Sequence, residues 1–224
     1  MQNYVTILKQ HAIQMEEKKS VFLAYCFHAE TEQQVKGNLQ LLQKEHKDAT
    51  HICYAYSLGV EQPITRSNDD GEPAGSAGKP ILEMILKKKL KNILVAVVRY
   101  FGGVELGKSK LTHMYANCAK EVINDAELET MEACSVYEFS FDYDSYVPAG
   151  KYFNDHKCTI LNLVYLDIVK VQVALPTAKI DKILGDLRTI TKKLNGVFLR
   201  PMYLPVSQKG AWLDRMGVNR VKHN

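Results

Sequence analysis

The stretch Asn92-Ile93-Leu94-Val95-Ala96-Val97-Val98-Arg99-Tyr100, continued by Phe101-Gly102-Gly103-Val104-Glu105-Leu106-Gly107-Lys108-Ser109, decides how the first half of the chain is read. Residues 92–100 are apolar almost without interruption, the composition of a strand buried on both faces, and they end in two polar groups, Arg99 and Tyr100. The Gly-rich turn from Gly102 to Gly107 then leads into a helix expected from about Ser109 to Ala126.

Toward the N-terminus, residues 20–28 (SVFLAYCFH) are β-rich and read as a strand. Thr31 precedes a helical stretch with Val35, Leu39, Leu42 and His46 on one face. A second strand is expected from His51 to Leu58. Residues 59–80 crowd Gly, Pro, Ser, Asn and Asp together, and so long a loop inside a domain is usually functional or disordered. Pro80 suits a helix first turn, with Ile81, Leu82, Ile85 and Leu86 as the apolar side. Lys87, Lys88, Lys89 and Lys91 close that helix, where the dipole favours cations.

The second half has a different rhythm. Residues 137–143 alternate as a strand, 146–156 read as a helix, and 158–164 and 167–175 as paired strands. Ala178–Leu194 is an amphipathic helix and Val197–Leu204 a last strand. This βαββαβ order is the ferredoxin-like pattern. The expected fold class is therefore α+β in two domains, 1–132 and 133–204, followed by a basic tail, 205–224, which holds the single Trp, Trp212.

With 224 residues, 46% of them hydrophobic and 24% charged, the composition is that of a folded globular protein. No apolar run approaches the roughly 18 residues that cross a bilayer. The start, Met1-Gln2-Asn3-Tyr4-Val5, has neither basic residues nor an apolar core, so a cytoplasmic location is expected. A net charge of +4 is too small for a dedicated duplex-DNA binder, and any nucleic-acid contact must be local. Cys26, Cys53, Cys118, Cys134 and Cys158 are widely spaced with no C-x-x-C pair, which reads as buried thiols rather than a disulfide framework or zinc site.

Three constellations bear on chemistry. Gly102 to Ser109 satisfies the Walker A spacing G-x-x-x-x-G-K-[ST], and Leu163-Val164-Tyr165-Leu166-Asp167 offers a Walker B partner. Yet a P-loop domain needs several parallel strands, and the order after residue 109 reads as antiparallel, with Asp167 in the other domain. Asn68-Asp69-Asp70-Gly71-Glu72-Pro73 clusters three carboxylates: Asp69 and Asp70 are expected to cap turn N–H groups, and Glu72 to pair with a nearby Lys or Arg. The alternative is a binding cleft where this loop meets the Gly102–Gly107 turn. His51 and Cys53 share a strand face, and core packing of both is the better reading than a nucleophile pair.

The runs His51-Ile52-Cys53-Tyr54-Ala55-Tyr56, Asp69-Asp70-Gly71-Glu72-Pro73-Ala74-Gly75-Ser76-Ala77-Gly78-Lys79-Pro80 and Arg99-Tyr100-Phe101-Gly102-Gly103 together resemble the IMPACT family, in its bacterial two-domain, YigZ-like form. The resemblance implies a first domain like domain 2 of ribosomal protein S5, a sheet with helices on one face. It implies a second domain similar to the last domain of elongation factor G. It also implies an association with translational control and no established catalysis. Lys108-Ser109-Lys110 and Thr112-His113-Met114-Tyr115 depart from the family pattern and create the Walker match, which reads as local drift.

Two functions follow as expectations. The first is a non-catalytic binding protein of translation regulation that contacts RNA or the ribosome, with a translation-associated protein as a further partner and no membrane contact. The second is a phosphate- or nucleotide-handling enzyme using the 69–79 loop and the 102–109 turn. The expected contact surface draws charge from Lys79, Arg99, Lys108 and Lys110 and stacking faces from Tyr100 and Phe101. Gly102 and Gly103 would allow close backbone approach, while Asp69, Asp70 and Glu72 orient the basic groups or accept from base edges. No catalytic residue, metal or cofactor is assigned.

Overall fold

A computed structural model describes residues 1–191 and 193–208. The chain divides into two units, Tyr4–Glu129 and residues 130 onward together with Met1–Asn3.

In the first unit, β1 (Tyr4–Ile7) lies beside Leu90 and Lys91, with Lys91 N donating to the Val5 carbonyl at 3.0 Å. The strands β2 (His11–Glu17), β3 (Ser20–His28), β4 (His51–Leu58), β5 (Ile64–Asn68) and β6 (Ile93–Tyr100) form one sheet in the order β2-β3-β6-β4-β5. Every neighbouring pair is antiparallel. Central β6 is buried from Ile93 to Arg99, as its unbroken apolar run demands.

Helices cover both faces. On one, α2 (Gly78–Lys87) and α3 (Lys108–Asp125) lay Ile81, Ile85, Leu111, Tyr115 and Cys118 over Phe22, Ala24, Cys53, Val95 and Val97. On the other, α1 (Glu32–Glu45) lays Val35 and Leu42 over Tyr25, Ile52, Leu94 and Val98. The helices-on-one-face arrangement implied by the resemblance is thus corrected. Successive residues of β3, β4 and β6 face opposite ways and both sets are apolar, so each face needs a cover. Thr31 starts α1 with a capping box: its Oγ1 accepts from Gln34 N, and Gln34 Oε1 accepts from Thr31 N, both at 3.2 Å.

The long loop read over 59–80 is also corrected, because β5 lies inside it and pairs Ile64 with Leu58 and Asn68 with Tyr54. All five β5 residues are exposed, so the edge strand leaves no apolar alternation to read. β2, the other edge strand, is likewise absent from the sequence reading, although its residues alternate half-buried and exposed and Ile13 and Met15 reach the core.

The second unit is ferredoxin-like. Its elements are β7 (Leu128–Phe141), α4 (Tyr143–Asp155), β8 (Thr159–Tyr165), β9 (Val169–Pro176), α5 (Ile180–Ile190) and β10 (Asn195–Pro205). The strands lie in the order β10-β7-β9-β8, all pairs antiparallel. Ala149 and Phe153 of α4 and Ile183 and Leu187 of α5 close a core over Phe139, Phe141, Val171 and Val173. α5 stops at Ile190, short of the Leu194 expected, and β7 begins well before residue 137. The α+β class holds in both units. A 3₁₀ turn follows β10 over Val206–Gln208; the rest of the tail, including Trp212, lies outside the described residues.

Among the described residues no helix is long and apolar enough to cross a membrane. The five cysteines are buried, as read from their spacing.

Each unit has its own apolar core, so the fragments 4–129 and 130–208 are expected each to melt in one cooperative transition by circular dichroism. A fragment that shows no transition would mean the two units fold only as one.

Candidate functional site

The loop after β5 is organised by its own carboxylates. Asp69 Oδ2 accepts from Gly75 N at 2.8 Å, and Oδ1 accepts from Ala77 N at 3.0 Å and Gly78 N at 2.8 Å. These last amides belong to the start of α2, whose N-cap, Ala77, has no side-chain acceptor of its own. Burial alone would raise the Asp69 carboxyl, but the amides of Gly75, Gly78 and Ala77 and the charge of Lys108 outweigh it and hold the group below the ordinary value. Asp70 takes the left-handed region at φ +43°, accepts from Ile52 N through Oδ2 at 2.7 Å, and offers its carbonyl to His51 Nδ1 at 2.7 Å. Asp69 thus caps this loop's own amides, as turn-capping predicts, whereas Asp70 reaches across to the backbone of Ile52 in β4. Gly78 is required where the loop doubles back, since a Cβ there would sit 2.6 Å from Asn68 N.

Glu72 reaches inward instead. Its Oε1 takes Arg99 Nη1 at 2.6 Å and the Tyr115 hydroxyl at 2.7 Å, and all three residues are buried. The Arg99 guanidinium carbon also lies 5.5 Å from the Phe22 ring centroid and 5.6 Å from that of Phe101. Cys53 Sγ donates to the Asp69 carbonyl at 3.0 Å. Burial pushes the Cys53 thiol up to about 12, with a contact from Tyr115 partly opposing. Burial likewise drives the Tyr115 hydroxyl far above its ordinary range.

The Gly-rich turn faces this loop across a cleft of about 420 Å³ whose walls include Glu72, Arg99, Phe101, Glu105, Lys108 and Leu111. Gly102 sits against the β2–β3 turn: its N–H donates to Ser20 Oγ at 3.1 Å, and a Cβ would overlap the Lys19 carbonyl. α3 opens into the cleft after Gly107, with no side chain capping it and no acidic residue in its first turn.

The expected surface residues therefore separate. Lys79 and Lys108 are exposed, and Phe101 is 47% exposed in the cleft wall. Lys110 is held by Glu17 at 2.6 Å. Tyr100 faces the opposite side of the sheet, where its hydroxyl meets His46 Nδ1 at 2.8 Å. Gly103 is exposed beside Gly102. His51 lines the cleft half-exposed rather than packing in the core with Cys53. Tyr115 was not singled out from the sequence as part of the site; its place on the apolar face of α3, between Leu111 and Cys118, was the available signal.

The Walker spacing is present without its fold, because both neighbours of β6 run antiparallel to it. Asp167 belongs to the second unit. Among the described residues no cluster of His, Cys, Asp and Glu could hold a metal ion.

Comparison with known proteins fits this architecture. Residues 18–123 match the Impact N-terminal domain. The chain is 34% identical over 143 residues to the IMPACT family member YvyE of Bacillus subtilis, covering 64% of this chain and 66% of that one. It is 33% identical over 141 residues to an IMPACT family member of Haemophilus influenzae, covering 61% and 68%. Against the IMPACT family member YigZ of Escherichia coli it is 28% identical over 179 residues, covering 79% and 88%. A crystal structure of a hypothetical protein superposes with a TM-score of 0.62 at 26% identity, covering 89% of this chain and 98% of that one. The chain belongs to the IMPACT family, in its YigZ-like form.

Two outcomes follow. Glu72→Gln leaves the Arg99 charge buried without its counter-ion and is expected to lower the unfolding free energy by about 3–5 kcal/mol in urea titration; a loss under about 1 kcal/mol would show that the pair does not anchor the loop. Because the Asp69 carboxyl is depressed, its stabilisation is present above the unfolded carboxylate value near pH ~4 and is lost as pH falls through the folded one. Asp69→Asn is thus expected to be less stable at neutral pH and to lose less on acidification than the wild type. Equal pH dependence of the two chains would refute this.

Proposed function

We propose that the protein is a non-catalytic binding protein of translation regulation that contacts RNA or the ribosome through its first unit. Family membership supports the link to translation. The observation that carries the contact is the presence in one cleft wall of an exposed cation, Lys108, and a half-exposed ring, Phe101. Phosphate and base are the two faces that an unpaired nucleotide offers, and cation and ring match them. Lys79, exposed in the first turn of α2, adds a second charge.

Binding is favoured over catalysis by how the reactive groups are used. Glu72 is committed to Arg99 and Tyr115, Asp69 to three amides, and the Cys53 thiol is held near 12, far from a working nucleophile. The contact is local, as the net charge of +4 requires.

Ribosome co-sedimentation across a salt series tests the proposal. Wild type is expected to pellet with ribosomes at low salt and to release as salt rises. Lys79→Ala/Lys108→Ala should bind more weakly, with a log–log salt slope shallower by about one to two units. A wild type that never pellets with ribosomes and never retards RNA, or a double variant with unchanged slope, overturns it. Arg99 and Lys110 are unsuitable for this test because each already holds an internal partner.

A further inference from the structure

The first-turn amides of α3 and the buried Arg99 border the same cleft. α3 is 18 residues long, starts at Lys108, and has neither a side-chain cap nor an acidic first-turn residue. Its N-terminus therefore presents unpaired N–H groups and the positive end of the helix dipole. Arg99 is 5% exposed, and only its Nη1 reaches Glu72, at 2.6 Å; Nε has no hydrogen-bond partner among the described residues. A buried donor left unpaired is costly, and more so on a charged group. The one contact to Glu72 runs through Nη1, on an oxygen that also takes the Tyr115 hydroxyl.

We infer that this corner of the cleft is a subsite for a single phosphomonoester group, held by the first-turn amides of α3, by Arg99 and by the exposed Lys108. This deepens the binding reading above by naming what the same cleft takes. A volume of about 420 Å³ suits a nucleotide-sized group and not a folded polymer. The apolar part of the wall, with Phe101 and Leu111, is suited to the organic portion of such a ligand. A terminal phosphate carries more charge than an internal diester, and the helix dipole and the exposed Lys108 reward that difference, while Arg99, paired with Glu72, adds a donor rather than a net charge. Glu105, exposed in the same wall, opposes it and limits affinity.

The test uses the full chain, with inorganic phosphate as probe and chloride at matched ionic strength as control, read by thermal melting and calorimetry. Phosphate is expected to raise the melting temperature saturably. Ser109→Asp places a carboxylate at an exposed first-turn position that favours acids, so the variant should fold at least as well and lose the phosphate response. Glu105→Gln should tighten phosphate binding about five-fold. Arg99→Lys keeps a cation facing Glu72 but removes Nε and should weaken the response; if that variant does not fold, Ser109→Asp and Glu105→Gln still decide. A phosphate shift no larger than that of chloride, or one unchanged in Ser109→Asp, overturns the inference. A mononucleotide 5′-phosphate that binds where its nucleoside does not would assign a small-molecule source. A 5′-phosphorylated oligoribonucleotide preferred over both would assign an RNA end. Ribosome retention reads Lys79 and Lys108 together, whereas this experiment turns on Ser109 and Glu105, so either proposal can fail while the other stands.

Discussion

The ion pair between Glu72 and Arg99 is the constraint on which the first unit's working surface hangs. Taking two charges out of water is costly, and the arrangement is tolerable only because nearly every group around it is answered. Arg99 lies between the rings of Phe22 and Phe101, and Glu72 takes a second hydrogen bond from Tyr115. One carboxylate oxygen thus joins the 69–77 loop, the end of β6 and the middle of α3. Without it, the loop would lose its tie to β6 and α3 and the cleft a pair of its lining residues.

That junction also explains why residues chosen from the sequence for binding turn out to be structural. Asp69 is acidic because a chain that crosses from an edge strand to a helix start, without a ladder of its own, leaves amides that a side chain must satisfy, while Asp70 answers Ile52 N of β4 and Glu72 answers Arg99 and Tyr115. Lys110 and Arg99 are basic and yet already neutralised. Of the cations chosen from the sequence, the two left open to solvent, Lys79 and Lys108, are those at the first turns of α2 and α3, and Lys108 lines the cleft.

Much of the architecture was legible because burial on one or two faces leaves a periodic trace. β3, β4 and β6 are visible in SVFLAYCFH, His51–Leu58 and NILVAVVRY, and Thr31 marks the start of α1. The edge strand β5 was not legible, since a fully exposed strand is defined by backbone pairing that carries no side-chain signature, whereas β2 leaves only the short alternating trace of Ile13 and Met15. Tyr100 is the instructive miss. Strand alternation forbids Arg99 and Tyr100 from sharing a face, so a cleft that claims the arginine must send the tyrosine to the side of α1 and His46. The Walker spacing shows the converse: residues in the right order are harmless to interpretation only when strand direction is also considered.

The close approach of Gly102 to the β2–β3 turn sets how the family pattern can vary here. Lys108 and Ser109 are exposed, so the helix start can exchange side chains and change the charge at the cleft without disturbing the sheet. Gly102 has no such freedom, because the Lys19 peptide occupies the volume that any side chain would need. The cleft is therefore a fixed frame with an interchangeable lip: side chains at 108 and 109 are open to replacement while the wall at 102 stays where the hairpin pins it.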